Sequence, residues 1–206
     1  MDTKLTFILI PLFAAACLSC HKLCVPRHFN FMGGVASVLP DNDSVSIGDT
    51  LWIKASLPIN YKFWQSGTDS GVYNLRGAKY VETDLHLSSL NGLQNATGAI
   101  DSFSFVGSTN GSYESNPLAP HFAKTIKYSQ EEDKYVFSVG IIPRKRGIYC
   151  LTIIDIYQAM KKCDKISVSI VMTNKERHLH YFSEIYYGGG VIDAIDLTHS
   201  YCFKVF

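Results

Sequence analysis

Six stretches of this 206-residue chain alternate apolar and polar residues with a period of two, which limits the fold more than any other feature. Within Val45 to Leu57, the residues Leu51, Ile53 and Ala55 alternate with Trp52, Lys54 and Ser56. Val81, Thr83, Leu85 and Leu87 share one face of a second stretch. Ile126 to Ile142 reads as two strands joined by the acidic turn Gln130-Glu131-Glu132-Asp133. Tyr149, Leu151 and Ile153 line one side of Gly147 to Asp155, while Ile166, Val168, Ile170 and Met172 alternate cleanly with polar residues. The last stretch, Thr198 to Phe206, sets Tyr201, Phe203 and Val205 together. Successive strand side chains point to opposite faces, so such runs predict half-buried strands of an antiparallel sheet. About eight to ten short strands with turn residues between them predict an all-β antiparallel sandwich, folded as one domain. Helical patterning is confined to Ile156–Cys163 and Arg177–Tyr187, each long enough for a short helical turn.

Composition excludes two classes. At 47% hydrophobic and 18% charged residues there is enough apolar surface to offset chain entropy, so a disordered polymer is excluded. Nineteen basic residues against 18 acidic ones produce no net field, so nothing points to a nucleic-acid partner.

The first 20 residues, MDTKLTFILIPLFAAACLSC, carry Lys4, an apolar run from Leu5 to Ala16 and then small residues, the layout of a secretory signal. The run is shorter than the roughly 20 apolar residues that span a bilayer as a helix. Leu18-Ser19-Cys20 resembles the lipobox of bacterial lipoproteins, with Cys17 at a position usually held by Leu; Ala14-Ala15-Ala16-Cys17 is a second candidate. The polar tether that follows is similar to those of Bacteroidetes lipoproteins. The resemblance implies removal of residues 1–19, lipidation of Cys20, a tether over 20–30 and a folded domain over 31–206. It further implies attachment to the cell envelope, in the outer membrane. His21 to Arg27 contain none of the acidic residues that accompany export to the cell surface, which favours the periplasmic face.

Two other stretches resemble immunoglobulin-like modules of envelope proteins. They are Asp43 to Trp52, where Gly48-Asp49 leads into a strand, and Phe137 to Pro143 followed by Gly147-Ile148-Tyr149. This likeness implies an immunoglobulin-like sandwich and carries no function with it. Cys150 follows Tyr149 directly, so the two side chains face opposite ways, unlike the tyrosine corner and disulfide of antibody domains.

Processing at Cys20 leaves Cys24, Cys150, Cys163 and Cys202 as candidate disulfide cysteines, for which three pairings exist. If residues 147–155 and 163–173 form a hairpin, Cys150 and Cys163 lie too far apart to bond. Cys202 then remains a candidate partner for either, with Cys24 taking the other or staying free. No two of these four form a Cys-x-x-Cys pair, so neither zinc nor thioredoxin-like chemistry is expected of them, and no cofactor or metal is called for.

His178-Leu179-His180 with Glu184 is the best metal-like cluster, but a further ligand would have to come from His121 or His199. Asp41-Asn42-Asp43-Ser44 has the look of a calcium loop, yet Val45 stands where an oxygen ligand belongs. Asp193 and Asp196 beside Glu184 supply carboxylates for a hydrolase reading. No nucleophile elbow, phosphate loop or dinucleotide fingerprint occurs. The loops Asn60–Tyr73 and Tyr186–Gly190 mix aromatics with Gly, Ser and Asn, a recognition composition, and single out Phe63, Trp64, Tyr186 and Tyr187. The reading from sequence is a non-catalytic binding, adhesion or accessory module, held to the membrane by lipid and facing an envelope protein or glycan. The alternatives are an envelope hydrolase using His178, His180 and Glu184 or Asp193 and Asp196, and a purely structural envelope protein.

Overall fold

A computed structural model describes residues 28–64, 70–78, 81–90, 97–154, 156–161, 164–181 and 197–206; residues 63–64, 70, 108–110, 156–161 and 197 are described through their main chain alone. Sixteen strands occur among them, some of only two residues. In chain order they are β1 (His28–Leu39), β2 (Ser44–Val45), β3 (Leu51–Pro58), β4 (Asn60–Trp64), β5 (Ser70–Asn74) and β6 (Glu82–Ser89). Then come β7 (Thr97–Gly98), β8 (Phe103–Asn110), β9 (Ser112–Ser115), β10 (Ala123–Lys127) and β11 (Ser129–Gln130). The last five are β12 (Lys134–Pro143), β13 (Gly147–Ile153), β14 (Ile156–Lys161), β15 (Asp164–Met172) and β16 (Ser200–Val205).

Two seven-stranded sheets face each other. One runs β11-β12-β3-β1-β15-β14 with β8 also on β12, and the other runs β2-β16-β13-β6-β10-β9 with β7 on β6. The hairpin β4–β5 forms a small sheet of its own. This is the expected all-β sandwich. Its inner faces carry the alternating residues: Leu51, Ile53, Ala55 and Leu57 of β3, Ile166, Val168, Ile170 and Met172 of β15, and Leu151, Ile153, Tyr201, Phe203 and Val205 of β13 and β16 are all buried. Phe103 of β8 reaches across the gap, with its ring 4.9 Å from Tyr149 and 6.1 Å from Phe203, both in the opposite sheet.

The structure differs from the sequence expectations in four places. Two pairings are parallel rather than antiparallel, β1 with β15 and β2 with β16. Residues 156–161 are strand, not helix, because pairing with β15 extends the sheet edge and satisfies their main chain. The expected hairpin between 147–155 and 163–173 does not form, since β13 and β15 belong to opposite sheets. The acidic turn does close a hairpin, with Glu131 N–H donating to Lys134 O at 2.8 Å, but its arms are β11 and β12, and β10 crosses to the other sheet.

β1 escapes a period-two reading for a local reason. Gly33, at φ +125°, forms a bulge between Met32 and Gly34, and the alternation changes phase there: Phe31 points inward before it, Gly34, Ala36 and Val38 after it. A side chain at Gly33 would sit in backbone space that L-residues avoid.

The Pro143-to-Gly147 turn is secured by Tyr149, whose hydroxyl donates to Lys145 O at 3.2 Å and lies 3.4 Å from Arg146 O. Urea denaturation is expected to show that Leu151→Ala costs about 2–5 kcal/mol, as for other fully buried leucines. Tyr149→Phe, which leaves the ring and removes one hydrogen bond, is expected to cost about 1 kcal/mol in the same assay.

Candidate functional site

One end of the sandwich is built from aromatic rings. Phe29 and Phe31 follow one another on the same face of β1 with ring centroids 6.0 Å apart. Tyr61 of β4 stacks on Phe31 at 4.8 Å, and Tyr73 of β5 lies 4.7 Å from Phe29 and 5.7 Å from Phe31. Tyr61 and Tyr73 are direct cross-strand partners, so both arms of the hairpin rest on β1. The Tyr73 hydroxyl donates to Asp164 Oδ2 at 2.9 Å, which adds a tie to the start of β15. Asn74 Nδ2 donates to Asn60 Oδ1 at 2.7 Å across the base. Two-stranded hairpins are marginal in water by themselves, and this one is held by its aromatic foot.

Above that foot the strands continue outward, with Lys62 exposed and Val72 62% exposed. Phe63 pairs with Gly71, and Trp64 pairs with Ser70, at the far end of the ladder. The structure thus brings two of the four candidate recognition residues to the hairpin's distal end. Tyr186 and Tyr187 lie outside the described residues, as do Cys20, Cys24, Cys163, Glu184, Asp193 and Asp196.

Beneath the aromatic end sit two hydroxyls that the sequence did not single out. Tyr61 and Tyr128 are both buried, and neither hydroxyl has a hydrogen-bond partner among the described residues. Burial raises the pKa of both phenols, and for Tyr128 the neighbouring Tyr61 adds to the rise. Both stay neutral throughout the physiological range.

A second neighbourhood joins two motifs that lie far apart in the chain. The loop after β1 and the segment 177–181 meet at His178, whose Nδ1 is 3.4 Å from Asp43 Oδ1 and whose Nε2 is 3.7 Å from Asp41 Oδ1. His180 Nε2 reaches the same Asp43 oxygen at 3.5 Å, and the Tyr181 hydroxyl donates to Asp43 Oδ2 at 3.1 Å. His178 is held at φ +50°, an uncommon conformation for a residue with a side chain. Its ring packs edge-on against Tyr201 at 5.3 Å, and the Tyr201 hydroxyl donates to Asn42 O at 2.9 Å. Burial, and next the negative charge of Asp41, raise the Tyr201 pKa. These contacts bind loop 41–43 to segment 177–181 over the outer face of β16.

His121 and His199 do not join them. His121 Nδ1 pairs with Asp101 Oδ2 at 2.9 Å on the surface, and the buried His199 is tied through Nδ1 to Ile170 O. Among the described residues no group of three or more His, Cys, Asp or Glu is arranged to hold a metal ion. A surface concavity of about 350 Å³ lies on the outer face of β1, β3 and β12 between Ser37, Lys54, Glu131, Lys134 and Ser138, and contains none of the candidate residues.

The class this geometry defines is an all-β sandwich carrying an accessory hairpin. No family model matches the chain, and no curated protein matches it. Among solved structures it is similar to the human F-spondin reeler domain (fragment 1), at TM-score 0.37 and 12% identity, over 75% of this chain and 95% of that one.

The outer face of β6 supplies a pH test. Asp84 accepts from Asn116 Nδ2 and Thr125 Oγ1, each at 2.8 Å, and His86 stands two residues along, opposite Ala123 and Thr152. Burial lowers the His86 pKa, and Asp84 opposes that only in part. The folded value therefore lies below the ordinary one near 6.5, so the neutral imidazole's contribution is complete above about pH 6.5 and is lost as pH falls through the folded value. His86→Gln is expected to narrow the difference in urea midpoint between mildly acidic and neutral buffer, and an unchanged difference would contradict this assignment.

Proposed function

We propose that this chain is a lipid-anchored envelope protein of a Bacteroidetes-like bacterium, whose sandwich serves as a non-catalytic recognition module for an envelope protein or glycan. The observation that supports this most is the β4–β5 hairpin. It stands as a separate two-stranded sheet, it is fixed at its base by Phe29, Phe31, Tyr61 and Tyr73, and it carries Phe63 and Trp64 at its far end. Residues 65–69 between the arms read Gln-Ser-Gly-Thr-Asp, small and polar. A rigid base under an aromatic, Gly- and Ser-containing tip limits the ordering cost of binding while leaving adaptable contacts. The anchor rests on the apolar run from Leu5 and on Leu18-Ser19-Cys20. Among the described residues no helix is long and apolar enough to cross a membrane. Several acyl chains on Cys20 would give durable attachment, at about 0.8 kcal/mol per buried methylene.

Two measurements test the two halves of the reading. Intact-mass analysis of the protein from its native membrane is expected to show a chain that begins at an acylated Cys20, and a chain with an unmodified N-terminus would refute the anchor. For recognition, Trp52→Phe leaves Trp64 as the sole tryptophan, because the chain has two. Titration with soluble peptidoglycan fragments and with outer-membrane oligosaccharides is expected to shift its emission saturably. Trp64→Ala is expected to weaken that binding about tenfold or more, which corresponds to about 1.4 kcal/mol. Binding that saturates without moving the Trp64 signal would place recognition elsewhere on the molecule.

A further inference from the structure

Cys150 on β13 and Cys202 on β16 are direct partners in the antiparallel ladder, and their sulfur atoms stand 3.1 Å apart. The surrounding hydrogen bonds identify the type of pairing. Leu90 N–H donates to Ile148 O at 2.8 Å, so Ile148 directs its carbonyl away from β16. Cys150, two residues further along the strand, has the same orientation. Cys202 N–H also leaves the β13 ladder, donating instead to Arg177 O at 3.0 Å. The two cysteines therefore occupy a non-hydrogen-bonded position, where opposed Cα atoms lie about 4.5 Å apart and side chains come closest. That spacing falls inside the roughly 4.4–6.8 Å range bridged by disulfides. Lys161 and Asp164 pair with each other in the opposite sheet.

Both thiols face away from the core between the sheets, yet both are buried. Leu90, Ile148, Leu179 and Tyr181 enclose them in a small second core, and segment 177–181 is pinned over it by His178 and Tyr181 on Asp43. We propose that Cys150 and Cys202 are joined by a disulfide that is made while the chain folds and is then sealed by segment 177–181. The bond requires a disulfide oxidant, of low molecular weight or a protein. One cysteine thiolate attacks the oxidant and releases one thiol, leaving a mixed disulfide. The second thiolate attacks the cysteine sulfur of that mixed disulfide and releases the other thiol. Two electrons pass to the oxidant, and the two cysteine protons end on the released thiols. Once the fold closes, burial raises the Cys202 pKa and contact with Cys150 raises it further, so the reactive thiolate becomes scarce. The bond therefore precedes closure.

The test uses the full chain from its native envelope, acid-quenched and alkylated, then digested without reduction. One cross-linked peptide pair carrying Cys150 and Cys202 is expected. Alkylation of both residues as free thiols would overturn the proposal, and so would a bond from either to Cys24 or Cys163. Timing is tested on the full chain refolded under reductant and exposed to oxidised glutathione. The folded dithiol is expected to resist oxidation in buffer and to react promptly in denaturing urea, whereas prompt reaction in buffer would overturn the sealed arrangement. A reduced chain that cannot regain its structure, together with a mapped Cys150–Cys202 bond, supports the same order of events.

Discussion

β13 and β16 are buried on both faces, and much of the molecule is organised around that double burial. Their inner face supplies Tyr149, Leu151, Tyr201 and Phe203 to the core between the sheets. Their outer face carries Cys150, Cys202 and Ser200, which are also removed from water. A central pair of strands buried on one side only would leave a polar outer face and need no cover. Here the cover is segment 177–181, and it stays in place through contacts made mostly with loop 41–43. That loop leads into β2, which pairs in parallel with β16, while Lys204 N–H donates to Asp43 O at 3.0 Å. Residues 41–45 and 177–181, far apart in the chain, thus meet on one strand pair, through apolar contact beneath and polar contact above.

The alternation in β3, β13, β15 and β16 was legible because each has one face in the main core and the pattern runs unbroken. Even the outward parity of Cys150 and Cys202 could be read, though not that they would be covered. Two strands were obscured for opposite reasons. In β1 the bulge at Gly33 switches the inward set from odd to even positions, so His28 to Leu39 shows no single period. In β14 the spacing of Ile156, Ala159, Met160 and Cys163 suits a helix, and the free edge of β15 outweighs it. Which sheet a strand joins was not legible at all. β10 and β11 are separated by Tyr128 alone and belong to opposite sheets, a choice made by long-range packing.

The histidine neighbourhood shows the same limit. His178-Leu179-His180 and Asp41-Asn42-Asp43 each stand out as chemistry-bearing, but nothing in the sequence pairs one with the other. Their actual partners are one another, across a separation of more than 130 residues. Imidazole–carboxylate contacts at 3.4–3.7 Å contribute little to stability individually. Their effect is positional: with the Tyr201 ring beneath and the Tyr181 hydroxyl beside them, they hold His178 in a backbone conformation it would otherwise avoid, which directs the chain back across the paired thiols.

The two ends of the molecule therefore use the same residue class in different ways. At the thiol end aromatic rings lie beneath charged loops and close the surface. At the hairpin end they form a foot, with Lys62 and Val72 exposed above it. The ties from Tyr61, Tyr73 and Asn74 all lie in the hairpin's lower half. The ladder beyond them pairs Phe63 with Gly71 and Trp64 with Ser70. The base is therefore fixed to β1 and β15 through side chains, and the proposed recognition residues sit at the end of the ladder farthest from that attachment.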